Sequence, residues 1–185
     1  MRQTITRGAL GLSIIAAALA VAAPANADQH RLKNRDFTNG TFYLGIPPGP
    51  QNGHVPANVG LIVWQYGQDD QIWNVPAGGG LFSDLYTDPY SNSVCIGVEG
   101  GLGAGNGARI IDQPCDWSQT VHPEQYWQMI PSSSVGLGSQ YPNCFIMWNV
   151  YNSKAMGVTN GDVQNGGTVI QWDYDGSANQ FWCLE

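Results

Sequence analysis

Short apolar runs separated by clusters of glycine, proline and asparagine make up most of the chain. Beyond the N-terminal segment, no stretch holds its apolar residues at the three- and four-residue spacing of an amphipathic helix. The separating clusters are residues 47–50, 78–80, 100–107 and 165–167. Apolar runs rich in β-branched and aromatic residues and bounded by such turn formers are typical of short strands. The pattern therefore predicts an all-β domain with about twelve strands.

The same three elements occur three times in the same order. A Gln-x-Trp motif ends each copy and supplies Gln71, Trp73, Gln125, Trp127, Gln180 and Trp182. Upstream of each motif a glycine lies between two apolar residues, at Gly45, Gly97 and Gly157, and an apolar run follows each glycine. Such repeats bury their apolar faces against one another. We predict one domain over residues 28–185, with three four-stranded repeats at about 34–77, 87–131 and 141–185 around a pseudo-threefold axis.

The Gln-x-Trp motif is interpreted as structural. In a strand its Gln and Trp point to the same face, because side chains alternate with a period of two. A large aromatic ring on that face suits the core, and the amide of the Gln can satisfy backbone groups that would otherwise lack partners. The motif therefore specifies the fold and does not by itself predict a ligand.

The N-terminal segment has the pattern of a secretory signal peptide. Arg2 and Arg7 form a basic start, an apolar run follows over residues 9–23, and Ala25-Asn26-Ala27 matches a signal peptidase site. The apolar run is shorter than a typical membrane span, and a retained anchor is the alternative. We expect residues 1–27 to be removed and the protein to be secreted without inserting into a membrane.

Charge and cysteine content indicate which ligands and which cross-links to expect for this protein. The predicted mature chain has five basic against fourteen acidic residues, a net charge of −9, which does not favour nucleic acid or an anionic membrane. An even number of cysteines in an exported protein indicates disulfides, although sequence alone leaves all three pairings open. The cysteines are Cys95, Cys115, Cys144 and Cys183. No C-x-x-C pair or associated histidine cluster suggests a metal site.

The familiar catalytic motifs are missing from the sequence. There is no nucleophile elbow, zinc-protease helix motif or phosphate-binding loop, so we expect a protein that is not an enzyme and needs no cofactor. A pair of carboxylates for glycoside hydrolysis is the catalytic alternative. The candidate acids for such a pair are Asp69, Asp70, Asp112, Asp116, Asp173 and Asp175.

The three Gln-x-Trp copies, each behind an apolar strand and a Gly/Asn-rich turn, resemble the ricin B-type lectins and related bacterial carbohydrate-binding modules. The resemblance runs from about residue 37 to residue 182 and is closest over residues 165–182. It implies a β-trefoil that acts as a monomer and binds a glycan or polysaccharide. It also implies disulfides that join Cys95 to Cys115 and Cys144 to Cys183.

The resemblance further implies where sugar would bind. In that family an aromatic residue after the third strand, an Asn before the Gln-x-Trp glutamine and an upstream Asp contact the sugar. The third copy matches with Trp172 and Asn179, with Gln171 and Asp173 nearby. The first copy matches partly with Trp64 and Asp70.

The second copy departs furthest from the family pattern. It has Gln113 at the aromatic position and Glu124 in place of Asn, so it is expected to be inactive. All three copies carry glycine, at Gly45, Gly97 and Gly157, where the family has the upstream Asp. We therefore expect carbohydrate binding mainly through the third copy. The alternative is a sugar-inactive domain that binds proteins, such as a protease inhibitor acting through the loop at 47–57.

Overall fold

A computed structural model describes residues 27–36, 41–47, 58–65, 71–76, 81–82, 86–87, 93–116, 120–159 and 164–185. Several features singled out from the sequence lie outside the described residues: the predicted signal peptide up to residue 26, residues 48–57, Asp69, Asp70 and the cluster at 78–80.

Short strands and 3₁₀ turns form the described structure. The strands are β1 (Ala27–His30), β2 (Leu32–Asn34), β3 (Phe42–Gly45), β4 (Ile62–Gln65), β5 (Trp73–Pro76), β6 (Leu81–Phe82), β7 (Tyr86–Thr87), β8 (Ser93–Val98), β9 (Ile110–Pro114), β10 (Trp127–Pro131), β11 (Cys144–Asn149), β12 (Ala155–Val158), β13 (Gly167–Trp172) and β14 (Phe181–Leu184). The 3₁₀ turns span Gly101–Gly103, Pro123–Gln125, Ser132–Val135 and Ala178–Gln180. The all-β prediction is confirmed.

Seven of the strands pair into a closed ring. In order these are β12, β13, β4, β3, β2, β14 and β11, and β11 pairs back with β12. Strands β10 and β6 extend from β11, while β7, β8 and β9 form a separate sheet and β1 pairs with β5. The last strand of the third copy thus pairs with the first strand of the first copy, which closes the barrel without free edges at that joint.

The three copies share one strand register. The glycines Gly45, Gly97 and Gly157 pair with Ile62, Ile111 and Ile170 in their respective hairpins, β3–β4, β8–β9 and β12–β13. The residue two positions after each isoleucine is therefore equivalent between copies, and these residues are Trp64, Gln113 and Trp172. The alignment made from the sequence matches this register.

Three tryptophans of the Gln-x-Trp motifs fill the centre of the barrel. Trp73, Trp127 and Trp182 are each 0% exposed and belong to one core cluster. Their indole Nε1 atoms donate to the backbone oxygens of Leu44, Ile96 and Met156, at 2.9, 2.8 and 2.9 Å. Each acceptor residue directly precedes one of the glycines Gly45, Gly97 and Gly157. The indole hydrogen bond gives each of these buried carbonyls a side-chain partner.

The glutamines of the motifs hold the turn that follows each third strand. Gln125 donates to Pro114 O and accepts from Asp116 N, at 2.8 and 2.7 Å. Gln180 makes the equivalent bonds to Asp173 O and Asp175 N, at 2.9 and 3.0 Å. In the first copy, Gln71 donates to the backbone oxygens of Trp64 and Gln65. The motif thus joins the core to the loop beside the candidate site.

One disulfide lies within the second copy and one within the third. Cys95 is bonded to Cys115 and Cys144 to Cys183, the pairing that the family resemblance implies. Within the described residues, no helix has the length and apolar character needed to cross a bilayer.

Candidate functional site

The alternation of β13 presents one aromatic ring to solvent. Val169 and Gln171 are fully buried, whereas Trp172, on the other face, is 44% exposed. Gly107, from the turn before β9, lies under the ring: a Cβ built there would be 3.7 Å from Trp172 Cζ3. Gly107 has a φ of 87°, which favours glycine, and donates to Gln171 O at 2.9 Å. The ring therefore rests on the backbone of the neighbouring copy.

A small pocket opens beside this ring. It is lined by Gly157, Val158, Ile170, Trp172, Asp175, Asn179 and Gln180 and encloses about 70 Å³. Asn179 Nδ2 donates to Val158 O at 2.6 Å, which fixes the amide, while no described residue bonds Asn179 Oδ1. The pocket thus combines an exposed aromatic face with a positioned amide.

Asp175 adds a carboxylate that the sequence comparison did not single out for this site. One of its oxygens, Oδ1, accepts from the backbone N–H of Ser177 at 2.9 Å and from the Ser177 hydroxyl. Among the described residues no hydrogen bond reaches Oδ2, and the side chain is exposed. Its position in a turn, two residues before a Ser, is the sequence signal for a fixed carboxylate. Asp175 therefore brings acceptor oxygens to the pocket from the loop.

Asp173 lies next to the pocket but is held by other groups. Lys154 Nζ donates to its Oδ1 at 2.7 Å and Asn106 Nδ2 to its Oδ2 at 2.8 Å. The hydrogen bond from Lys154, followed by that from Asn106, lowers the pKa of Asp173 below its ordinary value. Asp173 therefore stays ionised to lower pH, but both of its oxygens already have partners.

Gln171 does not reach the pocket. Its side chain is 0% exposed, and Nε2 donates to Ala104 O and Gly105 O, at 2.8 and 3.1 Å. Its Oε1 accepts from Asn152 Nδ2 at 2.7 Å. As the neighbour of Trp172 in a strand, Gln171 points to the opposite face. The structure therefore gives it a structural role and leaves it out of the candidate site.

Packing limits the space at two of the three glycines found where an aspartate was expected. A Cβ built on Gly97 would lie 2.3 Å from Gln113 Nε2, within the buried side chain of Gln113. A Cβ on Gly157 would lie 3.1 Å from Gln180 Cγ and 3.2 Å from Asn179 O. In the second copy the space for an upstream side chain is occupied by Gln113, whereas in the third copy a side chain at position 157 would make tight contact with Gln180 and Asn179. Among the described lining residues of the third-copy pocket, Asp175 supplies the carboxylate.

Comparisons with known proteins agree with this architecture. No protein-family model matches the chain, and neither does any curated protein sequence. Among solved structures it is similar to ThreeFoil, a designed protein with threefold symmetry, at 22% identity and a TM-score of 0.63, over 84% of this chain and 96% of that one. It is also similar to a Macrolepiota procera ricin B-like lectin solved with lactose, at 15% identity and a TM-score of 0.61, over 87% and 96%. The chain has the β-trefoil fold of ricin B-like lectins.

A similar trefoil forms part of a larger enzyme. An exo-β-1,3-galactanase from Clostridium thermocellum matches with 18% identity and a TM-score of 0.66 over 86% of this chain. The chain spans 30% of the length of that enzyme. At these identities the likeness shows the fold.

The first copy of the trefoil repeats part of the third-copy arrangement. Trp64 is half-buried and lies against Gly166 of the third copy, where a Cβ would be 3.8 Å from Trp64 Cζ3. Gln65 N donates to Asn165 Oδ1 at 2.8 Å, as Asp173 N does to Asn106 Oδ1 at 3.1 Å. Asp70, the polar partner expected for Trp64, lies outside the described residues. The structure therefore describes the aromatic half of this candidate site.

The second copy of the trefoil has no aromatic ring at this position. Gln113 is 4% exposed and donates from Nε2 to Glu124 Oε1 at 2.9 Å, inside a pocket of about 600 Å³. Within the described part of the chain, no group of three or more His, Cys, Asp or Glu side chains is placed to hold a metal ion.

Proposed function

We propose that this trefoil is a secreted, non-catalytic carbohydrate-binding module that binds glycan or polysaccharide mainly through its third copy. The observation that carries the proposal is Trp172, an exposed ring at the mouth of a pocket that also holds Asn179 and Asp175. An aromatic face packs against the C–H side of a pyranose, while amide and carboxylate groups bind its hydroxyls. The two disulfides support an oxidising, extracellular setting.

Each side chain has a distinct part in the proposed site. Trp172 supplies the stacking surface, which is held in place from below by Gly107. Asn179, fixed through Val158 O, offers Oδ1 as an acceptor, and Asp175 offers Oδ2. A hydroxyl bonded to a carboxylate gains a charge-assisted hydrogen bond, which is worth about 1.5–3 kcal/mol. Asp173 contributes by holding Lys154 and Asn106 beside the ring.

The first copy is proposed as a weaker second site built on Trp64. Two weak sites on one monomer increase the apparent affinity for a polymeric ligand when both engage the same surface. Polysaccharides therefore bind this trefoil more tightly than the corresponding short oligosaccharides.

Retention on a broad panel of glycans and insoluble polysaccharides tests the proposal. We expect the oxidised protein to be retained by specific members of the panel, Trp172→Ala to lose most of that retention, and Trp64→Ala to lose less. Thermal unfolding of both variants checks that the barrel is intact. Full retention by a folded Trp172→Ala variant would refute the site, and no retention of the folded wild-type protein would refute carbohydrate binding.

A further inference from the structure

The second copy of the trefoil contains a pocket that differs chemically from the third-copy site. It lies between the 3₁₀ turns Gly101–Gly103 and Pro123–Gln125, and its volume of about 600 Å³ exceeds the 70 Å³ of the third-copy pocket. Pockets of about 300–1,000 Å³ accommodate small-molecule ligands. Its polar lining comes from Asn58, Glu99, Gln113, Thr120, His122 and Glu124, and its apolar lining includes Leu102 and Val121.

Glu124 is a buried carboxylate with one oxygen fixed. The residue is 5% exposed, and its Oε1 accepts from Gln113 Nε2 at 2.9 Å and lies 3.0 Å from His122 Nδ1. Its backbone oxygen accepts from Asn149 Nδ2 at 2.7 Å, which fixes the main chain. The residue is therefore held from two sides.

The second carboxylate oxygen, Oε2, faces the pocket. Among the described residues no hydrogen bond reaches it, and a Cβ built on Gly101 would lie 3.9 Å away, with Gly101 itself in the pocket wall. A buried carboxylate is stabilised when a cation or strong donors approach it. The geometry leaves Oε2 as an acceptor for a ligand.

The charge of the lining indicates which donor fits. The described lining contains two carboxylates, Glu99 and Glu124, and no lysine or arginine. Gln113 replaces the stacking ring, so this copy has lost the apolar platform of the third copy. An ammonium group is compact, carries a full charge and has three donors, which suits a carboxylate with a free oxygen. Leu102 and Val121 can contact the C–H groups of a ligand that bears such an ammonium group.

We propose that the second copy binds an amino sugar that carries a free amine, with the ammonium group on Glu124 Oε2. The choice of a sugar as the carrier of the amine rests on the proposed function of the trefoil. The sequence predicts an inactive second copy, because Gln113 replaces the stacking ring and Glu124 replaces the Asn. This proposal departs from that expectation and assigns the pocket to a charged amine. The site is selective because acetylation of the amine removes both the charge and two donors.

Calorimetric titration of the oxidised protein with matched ligands tests this inference. The ligands are the β-1,4-linked tetramers of glucosamine, N-acetylglucosamine and glucose, together with Nα-acetyl-lysine amide. We expect the glucosamine tetramer to bind at least about tenfold more tightly than the other two tetramers, as befits a charged hydrogen bond. Glu124→Gln removes that preference. Asp36→Asn, which makes the same change in net charge outside the pocket, retains it.

Three results would overturn the inference. The first is that the wild-type protein binds the three tetramers with equal affinity. The second is that Asp36→Asn loses the preference for the glucosamine tetramer to the same extent as Glu124→Gln. The third is that the lysine amide binds as tightly as the glucosamine tetramer. The first comparison uses wild-type protein alone and so does not depend on the folding of a variant. Neutral-glycan retention that is lost in Trp172→Ala but kept in Glu124→Gln separates the two sites. Failure of amine selectivity with that retention intact refutes this inference alone.

Discussion

Replacing Gln180 with leucine tests whether the glutamine of the Gln-x-Trp motif has a structural role or contacts the ligand. Gln180 is 2% exposed, and its amide bridges Asp173 O and Asp175 N across the loop that borders the third-copy pocket. Leucine keeps the approximate volume but makes neither hydrogen bond. Each bond contributes about 1 kcal/mol net. The freed loop groups belong to exposed residues, where water can reach them.

The expected loss is therefore about 2 kcal/mol of unfolding free energy, which corresponds to a fall in melting temperature of about 4–8 °C for a domain of this size. Urea unfolding followed by tryptophan fluorescence measures the free energy, and calorimetry measures the temperature. The matched control is Gln128→Leu, because Gln128 is exposed on β10. An exposed substitution of this kind changes stability by less than about 0.5 kcal/mol.

Binding is measured on the same variant at a temperature where it remains folded. Because Gln180 positions the loop that carries Asp175 and lies next to Asn179, we expect weakened glycan retention together with the loss of stability. The reasoning is refuted if Gln180→Leu unfolds like the wild type and yet no longer binds, since the glutamine would then be a ligand contact and not a turn anchor.

Three further predictions follow from particular contacts. Replacing Cys144 and Cys183 together by alanine removes a disulfide that spans a sequence separation of 39. Because the unfolded chain then gains conformational entropy, we expect the unfolding free energy to fall by about 4 kcal/mol. Urea unfolding measures this free energy, and an unchanged midpoint would contradict the prediction. Gly97→Ala clashes with Gln113 and costs about 1–3 kcal/mol, and Gln113→Ala in the same chain recovers part of that loss in calorimetry. Hydrogen bonds from Lys33 and then Tyr43 lower the pKa of Glu185, so its stabilising effect is complete above the ordinary carboxyl pKa and is lost as pH falls through the folded-state pKa. Acid unfolding of Glu185→Gln should therefore lack this component, and identical acid curves would contradict it.

The repeat pattern of the sequence predicted the fold because the matching residues have the same structural role in each copy. The tryptophans of the three motifs occupy equivalent core positions and donate to equivalent carbonyls. The regular spacing of the Gln-x-Trp motifs along the sequence therefore marks one structural repeat each time. The strand register likewise places Trp64, Gln113 and Trp172 where the alignment put them.

Parts of the candidate sites depend on contacts that the sequence does not show. Gln171 was grouped with Trp172 because of proximity along the chain, whereas strand alternation turns it into the core. The Glu124–Gln113 contact joins residues from a 3₁₀ turn and from β9 that are 11 positions apart, and only the fold of the intervening chain brings them together. The sequence alone shows glycine where an aspartate was expected at 97 and 157, whereas the structure adds that Gln113 occupies the space at Gly97 and that Gln180 and Asn179 lie close to Gly157.

The most direct test of carbohydrate binding through the third copy follows the indole N–H signals of the seven tryptophans by NMR while a retained glycan is added. If Trp172 contacts the glycan, the signal of this exposed indole shifts saturably. The signals of Trp73, Trp127 and Trp182 change little, because their N–H groups are buried and bonded to backbone oxygens. Binding that leaves the Trp172 signal unmoved would contradict the central claim.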